Sequence, residues 1–240
     1  MSTLYESDQL LSEYLMMHYG SDEQLMPWQF GPSGAIGFPC RTIAHFPEQK
    51  AKRGLDIGCS VGRSTFELSA SCDEVIGIDY SASFVEAAEE LRLKGKIDYT
   101  YRETGNLTGS ARAEVPPHSC PDHIKFLCAD AMDLPENLGQ FDRVHAANLI
   151  CRLSEPTKFL DRLPALVAAD GYLLLATPCT WLENFTPPDN QPDEDTFDWL
   201  SKLLNPAFQL IKKADEPFLI RETARKFQWS VSMVTLWQRR

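Results

Sequence analysis

The sequence predicts an α/β fold: a mostly parallel, seven-stranded sheet with helices on both faces, closed by an antiparallel hairpin at the C-terminus. Three observations predict it. From residue 53 onward, short apolar runs alternate with amphipathic stretches of helical period, the pattern of repeated βα units. The first of those runs ends in a glycine-rich turn that opens a helix. The last two runs, 208–213 and 229–237, have no helix between them, and two such strands pair antiparallel. A chain of 240 residues suffices for one sizeable core. The expectation is therefore one domain over 1–240, with residues 1–50 as an N-terminal helix and lid region and 51–240 as the core.

The elements follow in order. Residues 7–18 read as a helix capped by Ser7, with Leu10, Leu11, Tyr14, Leu15 and His18 on one face. Residues 26–47 hold Pro27, Trp28, Phe30, Pro32 and Pro39 and read as an ordered loop or lid, too aromatic for a linker. Residues 53–58 read as a strand, 62–71 as a helix, 74–79 as a strand, and 81–94 as a helix with Phe84, Val85, Ala88 and Leu91 on one face. Residues 95–123, with Gly95, Gly105, Gly109, Pro116, Pro117 and Pro121, read as an inserted surface loop. Then come a strand at 124–129, a strand at 141–150 that runs into a loop, a helix at 156–168 opening on Pro156, and a strand at 171–176. A polar stretch, 186–195, precedes a helix at 196–204. Val231, Met233, Thr235 and Trp237 alternate as a half-buried strand does.

Composition narrows the function classes. The net charge of −11 counts against a nucleic-acid partner, which needs lysine and arginine to neutralise phosphates. No run approaches the roughly 18 apolar residues of a membrane span. Residues 1–20 lack a basic start and carry Glu6, Asp8 and Glu13, which is unlike a secretory signal. The seven cysteines are odd in number, widely spaced and without a C-x-x-C pair. They read as buried, reduced thiols of a cytoplasmic protein, with no disulfide framework or metal site.

The motif that carries chemistry is Leu55-Asp56-Ile57-Gly58-Cys59-Ser60-Val61-Gly62-Arg63-Ser64, which leaves a strand and enters a helix. Glycines there permit a tight turn and close approach of a ligand to the backbone. The run resembles motif I of the class I S-adenosylmethionine-dependent methyltransferases, D-x-G-x-G-x-G, with Ser60 in place of the middle glycine. The resemblance implies S-adenosyl-L-methionine as cofactor and S-adenosyl-L-homocysteine as product, with Asp56, Gly58, Cys59, Ser60 and Gly62 around it. Asp79 ends the next strand, followed by Tyr80 and Ser81. Its carboxylate either accepts both ribose hydroxyls or caps the helix that begins near Ser81. Asp130, Ala131 and Met132 follow the third strand, where the class receives the adenine amino group; the alternative is a loop-starting aspartate. Asn148 and Arg152 end the fourth strand and border the crevice of an open sheet, Asn148 as a further expected cofactor contact and Arg152 on the acceptor side. No N-P-P-[YF] motif occurs there, which weakens a nucleobase acceptor. A nicotinamide-binding fold would want G-x-G-x-x-G, a spacing that Gly58, Ser60 and Gly62 do not give.

Four further segments resemble a narrower family, the methyltransferase domain of ovothiol-biosynthesis enzymes. They are Ser12–Gly20, Ala147–Leu153, Thr177–Pro187 and Pro217–Gln228. The resemblance covers nearly the whole chain and implies transfer of a methyl group to the imidazole π nitrogen of 5-thiohistidine (4-mercaptohistidine), giving ovothiol A. The family's usual chain also carries an N-terminal iron-dependent sulfoxide synthase region, so such a synthase is an expected partner in the parent protein or the pathway. The stretch from Pro187 to Asp195 is shorter than the family's.

A zwitterionic thiohistidine needs a cation for its carboxylate, a carboxylate for its ammonium and aromatic walls. Candidates are Arg152, Arg221 and Arg225 for the first, and Glu222 or Glu183 for the second. Tyr14, Tyr19, Trp28, Phe30, Trp181, Phe185 and Phe227 are candidate walls. His18 and His145 are the histidines expected near the site, and neither is assigned as a base. Each of these residues also has a plain structural reading as an ion pair or core packing. The competing functions are a methyltransferase for another small metabolite and a non-catalytic cofactor-binding module that partners a separate synthase.

Overall fold

The computed structural model describes residues 6–240. Helix α1, Asp8–Tyr19, begins as expected: the Ser7 hydroxyl accepts the Leu10 N–H. The following stretch is more ordered than its prolines and glycines suggest. Short α2, Asp22–Leu25, opens on a capping box formed by Ser21 and Gln24. Helix α3, Phe38–Ile43, lies inside the expected lid loop. Gly37 enters it at φ 75°, and Pro39 sits in its first turn, where a missing N–H costs nothing.

The α/β core then runs β1 (Ala51–Ile57), α4 (Arg63–Ser69), β2 (Cys72–Asp79) and α5 (Ala82–Lys94). The expected surface loop at 95–123 is instead largely an antiparallel hairpin, β3 (Lys96–Thr104) and β4 (Leu107–Glu114). Ile97, Tyr99 and Tyr101 alternate with polar residues and face inward, and Ala111 and Ala113 are buried opposite them. In the sequence, the surrounding glycines and prolines mask that period of two. Beyond the hairpin come β5 (Ile124–Cys128), β6 (Phe141–Ala147), α6 (Pro156–Leu166), β7 (Val167–Thr177), α7 (Thr196–Leu204), β8 (Phe208–Arg221) and β9 (Phe227–Arg239).

Seven strands form one sheet in the order β5-β2-β1-β6-β7-β9-β8, and β9 alone runs antiparallel to the others. Helices α6 and α7 cover one face with Phe159, Leu163, Leu200 and Leu204, against Leu55, Val144 and Trp237. Helices α3, α4 and α5 cover the other with Phe38, Phe66, Phe84 and Leu91. Each such side chain contributes about 1.5–3 kcal/mol when taken out of water. The chain order reverses between β1 and β6, which places a ligand crevice at the carboxyl ends of those strands.

The closing hairpin is longer than the two apolar runs foretold. β9 pairs with β7 only as far as Met233 opposite Thr177, while β8 and β9 remain paired out to Arg221 opposite Phe227. Residues 216–232 therefore project past the sheet edge at which the crevice opens. The cysteines also depart from expectation. All seven are free, but Cys128 and Cys179 are exposed. Among the described residues no helix is long and apolar enough to cross a membrane.

Candidate functional site

The turn after β1 has an unusual backbone. Gly58, Ser60 and Gly62 all adopt positive φ, at 76°, 50° and 84°. A side chain at Gly58 would press on Leu149, and one at Gly62 would come within 2.8 Å of Phe126. The Gly58 and Cys59 N–H groups donate to the Ile78 carbonyl, so the turn is pinned to the end of β2. Ser60, a non-glycine held at positive φ, keeps a buried hydroxyl with no hydrogen-bond partner. A buried polar atom without a partner is costly, and a bound ligand would complete it.

Asp79 stands beside this turn. Its carboxylate accepts the Ser60 N–H at 2.8 Å and the Ser81 N–H at 2.9 Å. Burial pushes it up to about 6, against those hydrogen bonds, and the Asp56 charge adds to the shift. Ser81 itself is buried and caps α5 by accepting the Phe84 N–H, so the helix-capping role belongs to Ser81. Tyr80 is exposed next to it. On the far side of β2, the Asp130 carboxylate accepts the Met132 N–H at 2.9 Å. Ala131 is buried, and Met132 packs partly against the core. The Ala129 N–H donates to the Asp79 carbonyl, which holds the two strand ends together. Asn148, at φ 55°, ends β6 and accepts the Ser232 hydroxyl at 2.6 Å.

Two residues of the first motif face inward. Cys59 is buried, which raises its thiol well above the usual range. Asp56 is 1% exposed, and its carboxylate is taken up by the Thr65 hydroxyl at 2.7 Å and His145 Nδ1 at 2.7 Å. His145 Nε2 lies 3.0 Å from Thr42 Oγ1 on α3. This chain joins β1, β6, α4 and α3, so Asp56 holds the turn from behind.

The N-terminal helix packs against the glycine turn and α5. Tyr19 donates its hydroxyl to the Val61 carbonyl at 2.8 Å, and Arg63 donates to the His18 carbonyl at 3.1 Å. Tyr14 packs on Phe84 with ring centroids 4.9 Å apart. Arg63, Thr65 and Glu6, which accepts the Ala82 N–H, carry much of this arrangement. None stood out in the sequence, although Arg63 closes the glycine motif itself.

The remaining candidates divide into two groups. Arg152 lies after β6, donates to the Cys151 and Thr180 carbonyls, and stacks 4.9 Å from the Phe185 ring centroid. Trp181 donates to Thr196 Oγ1 and meets Trp199 edge-on. These residues follow β6 and β7, next to the crevice. The second group is committed elsewhere. Arg221 is 5% exposed, donates to Glu103 at 2.6 Å and to the Gln24 carbonyl, and stacks on Tyr101. Arg225 stacks on Trp28, whose indole N–H donates to the Ala224 carbonyl. Glu222 pairs with Lys226 and accepts from Gln228. Arg221 and Arg225 thus bind the projecting hairpin to β3–β4 and to the N-terminal segment. Phe30 is 88% exposed, its ring centroid 5.7 Å from that of Trp28.

A glycine turn at positive φ, a carboxylate at the end of the next strand and a chain reversal between β1 and β6 are the features of the open α/β sheets that bind ligands at the carboxyl ends of their strands. The profile of the methyltransferase-domain family matches residues 55–175, about half the chain. The chain belongs to that family. Among curated proteins, it is 24% identical to the tRNA U34 carboxymethyltransferase of Idiomarina loihiensis, over 65% of this chain and 45% of that protein. It is 27% identical to the chloroplastic tocopherol O-methyltransferase of Arabidopsis thaliana, over 55% of this chain and 32% of that one. The chain thus spans less than half the length of these relatives. Among solved structures, the N-methyltransferase NodS from Bradyrhizobium japonicum WM9, in complex with S-adenosyl-L-homocysteine, aligns with a TM-score of 0.55. That alignment covers 95% of this chain and 98% of NodS at 14% identity, a likeness of fold.

Proposed function

We propose that this domain transfers a methyl group from S-adenosylmethionine to the imidazole π nitrogen of 5-thiohistidine, giving ovothiol A. The observation that carries the reading is one of placement. The four segments that resemble ovothiol-biosynthesis enzymes are α1, the end of β6, the stretch after β7 and the projecting hairpin. All four lie toward the carboxyl ends of the parallel strands, where an acceptor would meet the cofactor: two of them follow β6 and β7, Tyr19 of α1 reaches the Val61 carbonyl, and Ser232 beside the hairpin reaches Asn148. Segments outside the cofactor motifs that gather there are the ones that choose an acceptor.

When bound, the cofactor supplies an electrophilic methyl group on a sulfonium. The ring nitrogen's lone pair forms the new N–C bond as the C–S bond breaks, its electrons going to sulfur. The other ring nitrogen then gives up its proton to solvent. A neutral imidazole needs no strong base for this, and neither expected histidine is placed as one. His145 is 1% exposed with both nitrogens engaged, and burial holds His18 down at about 3. The work of the chain is alignment and exclusion of water. Asp79 fixes the ribose, α1 covers the crevice, and Arg152 receives the acceptor's carboxylate beside the Phe185 ring. The net charge of −11 weighs against an RNA acceptor like that of the carboxymethyltransferase relatives.

Calorimetry of 5-thiohistidine in the presence of S-adenosylhomocysteine tests the acceptor, with histidine as control. Binding of the thiolated ring and not of histidine is expected. Binding of neither, with the cofactor product bound, would send the search to other small acceptors.

A further inference from the structure

Asn148 stands at a junction. It follows the last residue of β6 at φ 55°, and its N–H donates to the Ala176 carbonyl near the end of β7 at 2.7 Å. Leu149 packs over the glycine turn: a Cβ on Gly58 would come within 3.2 Å of its side chain. The Leu149 carbonyl accepts the Arg152 N–H at 2.8 Å, so Arg152 follows within the same turn. Asn148 therefore lies between the glycine turn and the residues after β6. From a third side, β9 supplies Ser232, which is 0% exposed and donates its hydroxyl to Asn148 Oδ1 at 2.6 Å. The positive φ suits asparagine without help, so the backbone does not require that bond. With Oδ1 taken, the amide's N–H donors remain, and no acceptor among the described residues takes them. The residue is half-buried, so these donors are open to a ligand and not sealed in the interior.

We propose that Asn148 donates its side-chain N–H to the ring sulfur of the acceptor, and that Ser232 is the positioning residue that holds the amide in that sense. The inference rests on the acceptor reading above and extends it. The choice of atom follows from the acceptor's chemistry. The π nitrogen must keep its lone pair for the methyl group, so the other nitrogen of the neutral ring carries the proton and is a donor. The ammonium is a donor too, and Arg152 takes the carboxylate. The sulfur is the acceptor atom left for an amide N–H. Histidine has no such atom and leaves the amide desolvated and unpaired, so the amide selects the thiolated ring.

The test measures two affinities by calorimetry, that of S-adenosylhomocysteine and that of 5-thiohistidine in its presence. Asn148→Gly removes the amide and keeps the backbone, because glycine accepts positive φ without strain. It is expected to weaken 5-thiohistidine about tenfold or more and to leave S-adenosylhomocysteine within about twofold. Difference absorbance reads the sulfur itself: the thiolated ring's ultraviolet band should shift on binding to the unaltered protein, and the shift should vanish in the glycine variant. Ser232→Ala should weaken 5-thiohistidine about threefold or more, and should add nothing in the Asn148→Gly background, since it acts through the amide. It decides the matter by the same contrast of ligands if thermal melting shows that the glycine variant does not fold. Equal losses for both ligands would overturn the proposal, as would unaltered 5-thiohistidine binding or a further loss from Ser232→Ala in the glycine background. Failure of the unaltered protein to bind 5-thiohistidine, with S-adenosylhomocysteine bound, would instead sink the acceptor reading, and this proposal with it.

Discussion

Replacing Asp79 by alanine is expected to weaken S-adenosylhomocysteine binding by about 3 kcal/mol, roughly a hundredfold. The magnitude follows from the proposed ribose contact, two hydroxyls donating to one carboxylate, each charge-assisted bond contributing about 1.5 kcal/mol. The same carboxylate holds the Ser60 and Ser81 N–H groups, so the alanine variant also loosens the glycine turn. Asp79→Asn keeps an acceptor oxygen there and should lose only about tenfold. The pH dependence has a definite sign. Burial pushes Asp79 up to about 6, and the ribose hydroxyls donate best to its ionised form. Affinity is therefore full above that pH and declines as pH falls through it. The asparagine variant should lack the decline. Calorimetry from about pH 8 to pH 5 reads both effects. A folded alanine variant with unaltered affinity would refute the reasoning, as would a flat pH profile for the unaltered protein.

Three other perturbations probe what holds the site. Gly62→Ala places a methyl group within 2.8 Å of Phe126 at φ 84°, and should cost at least about 1–2 kcal/mol in denaturant unfolding and weaken cofactor binding. His145→Leu leaves the buried Asp56 carboxylate with Thr65 alone, and should lower stability by about 3 kcal/mol, seen as a melting temperature several degrees lower. An unchanged melt would mean that the Asp56–His145–Thr42 chain carries no load. Arg221→Ala removes the link from the projecting hairpin to Glu103 and Gln24, so hydrogen exchange should quicken in 96–114 and 222–226 while the parallel strands stay protected. Equal exchange in both would show that the cap is held by other contacts.

The parallel core was legible because its signals are local. Leu55 to Gly62 encodes a strand, a turn and a helix start within a few residues, and Asp79 ends a β-type run. Each residue fixes its own backbone geometry, and the switch point follows from connectivity. The β3–β4 hairpin was not legible in the same way. Its alternation, Ile97, Tyr99, Tyr101, lies among glycines, and only packing beneath α1 makes that face an interior one. The acceptor side was harder still. Arg152, Arg221 and Arg225 read alike in sequence, yet Glu103, 118 residues before Arg221, decides that Arg221 is structural. Asp56 shows the same limit: its place in the motif suggests ligand contact, but Thr65 and His145 enclose it.

The acceptor claim is tested most directly by turnover. The protein is incubated with S-adenosylmethionine and 5-thiohistidine, and the product is identified by mass spectrometry and by NMR assignment of the methylated nitrogen. The account predicts S-adenosylhomocysteine and 5-thiohistidine methylated at the π nitrogen in equal amounts, with histidine left unmodified. Methylation of histidine as fast as of the thiolated ring, or no methylated thiohistidine from a protein that binds the cofactor, would contradict it.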